Sequence, residues 1–258
     1  MHIYEFDRAL ARMPSPSVVD GLRAVDVGAP DFGGVVREHA AYVRALEDAG
    51  VSVEVLPALS AYPDSLFVED TALTFTGAAI VLWPGAPTRA GEAREITPVL
   101  ERSFDRVLRL THGFVDGGDV LTTARGVLIG QSARTTADGA RELVALLAEI
   151  GLRGVPVTTP RDVLHLKSDC SLLDDETILA TRRLAASDMF DGFRVVLVPH
   201  GEEAAANALR VNDRVLVNDA YPRTAELLAK SYKVVPLPTR EVAKIDAGLS
   251  CMSLRWRA

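Results

Sequence analysis

The chain has few cysteines and no long apolar run. Two cysteines among 258 residues do not make a disulfide framework and are typical of a reducing compartment. No apolar run approaches the ~20 residues that a membrane helix needs. The N-terminus has neither the basic nor the apolar segment of a signal peptide. We therefore expect a cytoplasmic protein without a membrane partner.

The chain also lacks an excess of positive charge. Its net charge of −7 argues against a nucleic-acid partner and is compatible with a cationic small-molecule substrate. It contains no phosphate-binding loop, dinucleotide-binding fingerprint or zinc-ribbon pattern. Since 48% of its residues are hydrophobic, it can still bury a substantial core.

What the chain does contain is a repeated pattern of two paired strands, an amphipathic helix and a short valine-rich strand. The valine-rich strands recur at spacings of roughly 40–55 residues, which is typical of repeat architectures. The predicted hairpins lie at 70–83, 119–129, 170–180 and 208–217, the clearest helices at 35–49, 94–104, 137–150 and 224–232, and the valine-rich strands at 51–56, 106–110, 156–159, 194–198 and 233–237.

A fifth hairpin is split between the two ends of the chain. Residues 252–256 are predicted to pair with an N-terminal strand around 4–11, because a closed ring protects otherwise open strand edges. This interpretation predicts one closed α/β domain over residues 1–258. An ordinary mixed sheet with helices on its faces is the alternative, and periodicity alone favours that alternative.

Four polar clusters lie where hairpins begin, at 62–70, 115–119, 164–170 and 250–251. Pseudo-symmetric repeats would bring such positions to one centre. In the second cluster, two glycines between Asp116 and Asp119 allow a tight backbone turn. The competing structural interpretations are turn-forming aspartates, a solvated acidic loop and a core histidine with satisfied hydrogen bonds.

The residue types in these clusters suit nucleophilic catalysis. Cys251 is a lone thiol on a small-residue turn, although a buried small hydrophobe is the alternative. His165 can donate a proton to a leaving group and then activate water. Asp116 can orient His165, and Asp70 can bind a cation. A metal site built from Cys, His and Asp is a weaker alternative, because no close pair of ligands is present.

Four motifs together resemble the dimethylarginine dimethylaminohydrolases, a family of guanidine-modifying enzymes with the pentein fold. They are Phe67–Asp70, Asp116–Asp119, Leu164–Ser168 and Ser250–Ser253, and the resemblance extends over residues 12–256. It implies a five-bladed α/β propeller of ββαβ units. It also implies hydrolysis of Nω-methylated arginines to citrulline plus dimethylamine or methylamine, through a covalent thiouronium on Cys251.

The resemblance further implies roles for individual residues. Cys251, His165 and Asp116 are the catalytic residues, and some family members carry Glu at the last position. Asp70 binds the substrate guanidinium. The other implied substrate-binding residues are Arg89 and Arg134 for the α-carboxylate, Asp64 with the main chain of Leu22 and Ile245 for the α-amine, Glu69 beside Arg89 to position it, Phe67 in the pocket wall, and Ser250. No cofactor or metal is implied, and a monomer or a homodimer is expected.

Two other functions stay open. A related guanidine-modifying enzyme could act on arginine or on another Nω-substituted arginine, although the compact chain lacks room for the extra domains of arginine deiminases. A non-catalytic protein that binds arginine analogues is the second alternative. Residues 16–34 are the predicted lid, on glycine content.

Overall fold

Three-stranded sheets are the building units of the structure, a computed structural model that describes residues 2–258. Within those residues, fifteen strands form five such sheets. The strands are β1 (Arg8–Arg12), β2 (Ser52–Leu56), β3 (Ala72–Phe75), β4 (Ala78–Val81), β5 (Arg106–Arg109), β6 (Val120–Thr123), β7 (Gly126–Gln131), β8 (Gly154–Thr158), β9 (Cys170–Asp174), β10 (Thr177–Ala180), β11 (Arg194–Leu197), β12 (Leu209–Val211), β13 (Arg214–Asn218), β14 (Lys233–Leu237) and β15 (Leu254–Trp256). The helices are α1 (Phe32–Asp48), α2 (Glu92–Ser103), α3 (Ala137–Glu149), α4 (Arg182–Ala185) and α5 (Pro222–Ala229).

Every sheet has the same plan. Its middle strand pairs antiparallel with an inner strand and parallel with an outer strand. A parallel pair needs a crossover connection, and a helix supplies it in each sheet. The sheets are β3-β4-β5, β6-β7-β8, β9-β10-β11, β12-β13-β14 and β15-β1-β2. The predicted five-bladed α/β propeller of ββαβ units is confirmed.

The fifth blade joins the two ends of the chain. β15 pairs antiparallel with β1, with Leu254 opposite Leu10 and Trp256 opposite Arg8. β15 also packs beside β3 of the first blade, where Thr74 Oγ1 donates to the carbonyl oxygen of Arg255 at 2.9 Å. The predicted closure by the terminal strands is therefore confirmed, and it covers strand edges that would otherwise be open.

The hydrophobic core lies between neighbouring blades. One cluster of buried side chains packs Leu73 and Ile80 of the first blade against Val120 and Ile129 of the second. The other buried clusters likewise combine residues of adjacent blades. Each blade therefore depends on its neighbours to remove its apolar surface from water.

Local sequence signals account for the ends of the helices. Thr136 caps the N-terminus of α3, because its Oγ1 accepts the Gly139 N–H at 3.1 Å. The buried face of α3 includes Leu143 and Leu147. The third repeat, where no clear helical pattern was visible, contains only the four-residue α4.

No helix in residues 2–258 is long and apolar enough to cross a membrane.

Candidate active site

A short 3₁₀ turn precedes the inner strand of every blade. These five turns, which we call the turn ring, are Val68–Thr71, Gly117–Asp119, Leu166–Ser168, Glu203–Ala206 and Ser250–Met252. The last turn packs on the first, and the first four pack on one another in sequence. Asn207 closes the ring, because its Nδ2 donates to the Lys167 carbonyl at 2.9 Å and to Ser250 Oγ at 3.2 Å. The polar clusters at the hairpin starts therefore meet, as predicted.

Two glycines permit this close packing. A Cβ on Gly117 would lie 1.9 Å from the carbonyl oxygen of Glu69, and one on Gly118 would lie 2.7 Å from His165 Nδ1. Side chains at these positions would push the first three turns apart. The glycine pair, predicted from sequence as a tight turn, thus serves mainly the approach of neighbouring blades.

His165 is held by Asp116. Its Nε2 lies 2.9 Å from Asp116 Oδ2, while Asp116 Oδ1 accepts the Gly85 N–H at 2.7 Å. Burial opposes a charge on the imidazole, but the hydrogen bond to Asp116 and the charges of Asp70 and Asp119 prevail and raise the pKa of His165 to about 9. The imidazole is therefore protonated at neutral pH and able to donate a proton.

Asp70 lies beside this pair. Its Oδ1 accepts the Gly118 N–H at 2.8 Å, and its Oδ2 accepts Arg89 Nη1 at 2.5 Å. Burial works against ionisation, but the charges of Arg89 and His165 prevail and lower the pKa of Asp70. Ligand atoms of Asp70, Asp116 and His165 all lie within 4.8 Å of one another. Carboxylates fixed in so small a space suit the binding of a planar cation.

Cys251 lies half-buried on the last turn of the ring. Burial, followed by the negative charges of Glu69 and Asp70, raises the pKa of its thiol to about 12, although Lys167 acts in the opposite direction. The side chain is therefore a thiol under these charges. A guanidinium bound at the same carboxylates would add positive charge and favour the thiolate.

Side chains from three blades hold Ser250, the residue before the candidate nucleophile. Its Oγ donates to Glu69 Oε2 at 2.9 Å, and its N–H donates to Asn207 Oδ1 at 3.1 Å. Its carbonyl oxygen accepts Arg255 Nη1 at 3.2 Å. Glu69 is in turn paired with Lys167 Nζ at 2.6 Å. The nucleophile-bearing turn is thus restrained through both main chain and side chain.

The prediction that Glu69 sits beside Arg89 is wrong. Arg89 is buried, and its Nε and Nη2 bind the carboxylate of Glu92, with Nη2 at 2.7 Å from Oε2. Successive residues of a 3₁₀ turn are about 120° apart, so Glu69 and its neighbour Asp70 meet different partners. Glu92, on α2, positions Arg89 instead.

The predicted α-amine residues are neighbours. Asp64 Oδ1 accepts the Leu22 N–H at 2.9 Å. A Cβ on Gly21 would lie 3.2 Å from Asp64 Oδ1 and 3.3 Å from Ile245 Cγ2, so these segments touch. A buried carboxylate beside the Leu22 main chain, with Ile245 close by, suits the binding of an ammonium group.

The two predicted α-carboxylate ligands lie near this cluster. The charges of Arg89 and Arg134 both act to lower the pKa of Asp64, although burial prevails and raises it. Arg89 Nη2 also donates to the carbonyl of Phe67, a buried residue, at 2.7 Å. The contacts of Arg89 use Nε, both hydrogens of Nη2 and one of Nη1, which leaves one Nη1 hydrogen for a ligand.

Known proteins match the chain over nearly its whole length, although no protein-family model matches it. It is 39% identical over 254 residues to N(G),N(G)-dimethylarginine dimethylaminohydrolase from Pseudomonas aeruginosa, with 97% of this chain and 100% of that protein covered. The chain belongs to the dimethylarginine dimethylaminohydrolase family. The Streptomyces coelicolor protein of the same name is 34% identical over 256 residues, 97% of each chain. A solved structure of the P. aeruginosa protein, a Cys-to-Ser mutant complexed with citrulline, has a TM-score of 0.95 over 98% of this chain and 100% of that one.

Sequence reasoning missed several supporting residues of this site. Lys167 lies in a motif that was singled out, but it received no role. Asn207 stands just before the fourth hairpin, as Asp119 stands before the second, so its position in the repeat was a usable signal. Glu92 and Arg255 carry no local signal, because their contacts depend on how the blades close.

Asp70, Asp116 and His165 have the spacing of a possible metal site. In this family member, however, the carboxylates already accept the N–H groups of Gly118 and Gly85. The imidazole is protonated at neutral pH and has no lone pair to offer a metal ion. The donor set fits recognition of an organic cation better than metal binding.

The predicted lid is only partly a loop. Gly34 belongs to α1, where an added Cβ would lie 2.6 Å from Glu241 Cγ, so this glycine serves helix packing. The preceding loop carries the exposed Val25 and Val27. Residues 22–31, the part of the predicted lid that precedes α1, therefore remain the lid candidate.

Proposed function

We propose that the chain hydrolyses asymmetric dimethylarginine and monomethylarginine to citrulline plus dimethylamine or methylamine. The observation that best supports this reaction is the His165–Asp116 hydrogen bond beside Asp70, on turns that pack in one ring with the turn of Cys251. The site combines a proton donor, ionised carboxylates and a thiol. The relatives with this activity in their name, one with citrulline bound, support the same substrate class.

The first half-reaction forms a covalent intermediate. The substrate guanidinium lies against Asp70, and its charge promotes loss of the Cys251 proton to solvent. The thiolate attacks the guanidinium carbon, and the bond from that carbon to the methylated nitrogen breaks. His165, protonated because its pKa is about 9, gives its proton to the departing amine. A thiouronium on Cys251 remains.

The second half-reaction releases citrulline. The now neutral His165 takes a proton from water, and the resulting hydroxide attacks the thiouronium carbon. The carbon–sulfur bond breaks, Cys251 leaves as a thiolate, and the remaining proton departs as the citrulline carbonyl forms. Asp116 holds the imidazole through both steps and stabilises its charged form.

The amino-acid end of the substrate is recognised by the second cluster. Arg89 offers its remaining N–H group and Arg134 its guanidinium to the α-carboxylate. Asp64 accepts the α-ammonium group. The remaining proposed contacts are the main chain of Leu22 and Ile245, the side chain of Phe67, and Ser250.

We infer that residues 1–258 form one catalytic domain, because every blade contributes a turn to the turn ring. A monomer or a homodimer and a cytoplasmic location remain predictions. The two cysteines, both free, support a reducing compartment.

A turnover assay tests the proposal. Citrulline is measured with asymmetric dimethylarginine and, separately, with arginine, for the wild-type protein and for Cys251→Ser and Cys170→Ser. We expect citrulline from the methylated substrate alone, lost in Cys251→Ser and retained in Cys170→Ser. Citrulline from arginine would instead identify a related guanidine-modifying enzyme. Binding of asymmetric dimethylarginine without any product would identify a binding protein.

A further inference from the structure

A cavity lies along the axis of the propeller, and of the candidate active-site residues only Glu69 and Ser250 line it. It has a volume of about 650 Å³ and is lined by the inner strands of all five blades and by residues 2–6. This volume is in the range of small-molecule sites. Its inner end is formed by Glu69, Lys167 and Ser250 of the turn ring. Of the residues that the structure describes, neither Cys251 nor His165 lines it.

The cavity is strongly positive in a protein of net negative charge. Six cationic side chains line it: Lys167, Arg125, Arg153, Arg210, Arg255 and Arg257. The two lining carboxylates are both paired, Glu5 with Arg257 and Glu69 with Lys167 and Arg255. Counted over these Lys, Arg and Glu side chains, the lining keeps four net positive charges, whereas the whole chain carries −7. Such a local reversal of charge attracts anions.

Three of the arginines have no carboxylate within salt-bridge distance in residues 2–258. Arg210 instead packs its guanidinium over the rings of Tyr4, at 4.7 Å, and Tyr232, at 5.4 Å. Arg125 lies over Phe193 at 5.1 Å, and Arg153 is exposed. Arg210 Nε donates to the Asn212 carbonyl oxygen at 2.7 Å, so only its two Nη groups are available to a ligand. Stacking on an aromatic face leaves such N–H groups accessible, and they match carboxylate and phosphate groups.

We propose that this cavity binds a small polyanion that carries two or more carboxylate or phosphate groups. Arg125, Arg153 and Arg210 would engage its outer groups, and Lys167 and Arg255 would reach a group at the inner end. An anion there competes with Glu69 for its two cationic partners. Since Glu69 holds Ser250 Oγ, occupancy is transmitted to the residue that precedes Cys251.

Calorimetric titration with citrate, and separately with inorganic phosphate, tests the site at low ionic strength, where screening is weakest. The cavity variant is the double substitution Arg125→Gln/Arg153→Gln. The matched control is Arg44→Gln/Arg141→Gln, which removes two exposed arginines from α1 and α3. A third variant, Arg134→Gln, removes a half-buried cation whose charge acts on Asp64 in the proposed site for the amino-acid end of the substrate.

We expect saturable binding of at least one probe at one site per chain. The cavity variant should weaken it about tenfold, and the control and Arg134→Gln should leave it unchanged. A preference for citrate or for phosphate would identify the anionic group. The anion should also slow alkylation of Cys251 by iodoacetamide about threefold, since added negative charge disfavours a thiolate.

Three results would overturn the site. The first is that neither probe binds saturably. The second is that the cavity and control variants weaken binding equally, which indicates general charge attraction. The third is that Arg134→Gln abolishes binding, which places the anion at the active site. None of these measurements requires turnover, so the site can fail while the proposed hydrolysis stands, and the reverse.

Discussion

The pKa values of two histidines in different regions of the molecule are shifted in opposite directions. His39 lies buried on α1, where desolvation lowers its pKa to about 4, and its Nε2 has no hydrogen-bond partner within residues 2–258. His165 is also largely removed from water, but Asp70, Asp116 and Asp119 surround it, and its pKa rises to about 9. Burial alone therefore keeps a histidine neutral, and carboxylates placed by other blades reverse the outcome.

The two cysteines extend this comparison. Burial raises the pKa of Cys170, whose Sγ donates to the Leu166 carbonyl at 3.3 Å within the core. Asp169 adds to the effect of burial on the pKa of Cys170, as Glu69 and Asp70 add to it for Cys251. Cys251, however, is half-buried beside carboxylates that a substrate cation can neutralise, whereas Cys170 is fully buried in the core. The turn ring thus differs from the core in having a charge balance that a substrate can alter.

The largest expected effect separates the two histidines. His165→Gln removes the proton donor and should lower the turnover number about a thousandfold, whereas His39→Leu should leave it unchanged. Citrulline formation from asymmetric dimethylarginine measures both variants. Equal losses in the two variants would mean that His165 acts only through the fold.

Removing the carboxylate partner should make His165 more like His39. In the wild type the proton donor is lost as pH rises through about 9. Asp116→Asn lowers the pKa of His165 toward its ordinary value of about 6.5. The loss of activity on raising the pH should therefore begin at a lower pH than in the wild type, with about a tenfold loss at pH 8. The pH profile of the turnover number measures this shift. Asp116→Glu keeps the negative charge, so its turnover number should fall at the same alkaline pH as in the wild type. If the alkaline fall does not move in Asp116→Asn, a group other than His165 causes it.

His39 should make stability depend on pH at the acidic end. Its folded-state pKa of about 4 lies below the ordinary value of about 6.5, so the unfolded chain binds more protons between these values. Its stabilising contribution is present above the higher value and is lost as pH falls toward the lower one. At pH 5 the loss is about 2 kcal/mol. Urea unfolding at pH 5 and pH 7 measures it, and His39→Leu should remove this part of the pH dependence.

A last comparison uses two buried serines. Ser250→Ala breaks the hydrogen bonds to Glu69 and Asn207 and should lower the turnover number about tenfold with little change in KM, because the nucleophile is less well positioned. The buried Oγ of Ser171 has no hydrogen-bond partner among residues 2–258, so Ser171→Ala should change neither the turnover number nor KM. Steady-state kinetics of both variants test this. A rise in KM alone would indicate that Ser250 acts through its proposed contact with the substrate and not by positioning Cys251.

Much of the fold followed from local patterns. The helix at 137–150 was predicted from apolar spacing and is observed at Ala137–Glu149, and the strand at 233–237 is observed unchanged. These patterns are local because a helix or strand must bury one face of its own sequence. The pairing of β15 with β1 was predictable for a different reason, since a repeat left open at both ends exposes unpaired edges.

The partners of individual site residues were less predictable. Sequence reasoning placed Glu69 beside Arg89, but the direction of a side chain on a 3₁₀ turn decides its neighbour, and Glu69 meets Lys167 and Ser250. Asn207 belongs to a segment in which the sequence predicted no site residue. Contacts of this kind join segments that are far apart in the chain, and they exist only after the ring of blades has closed.

The sequence by itself determined the repeated units, their closure and the order of the candidate nucleophile, acid and carboxylates along the chain. Those features depend on spacing and residue type. Only the tertiary structure decided the protonation states of Cys251 and His165. A pKa depends on burial and on every nearby charge, and these charges arrive from turns of different blades.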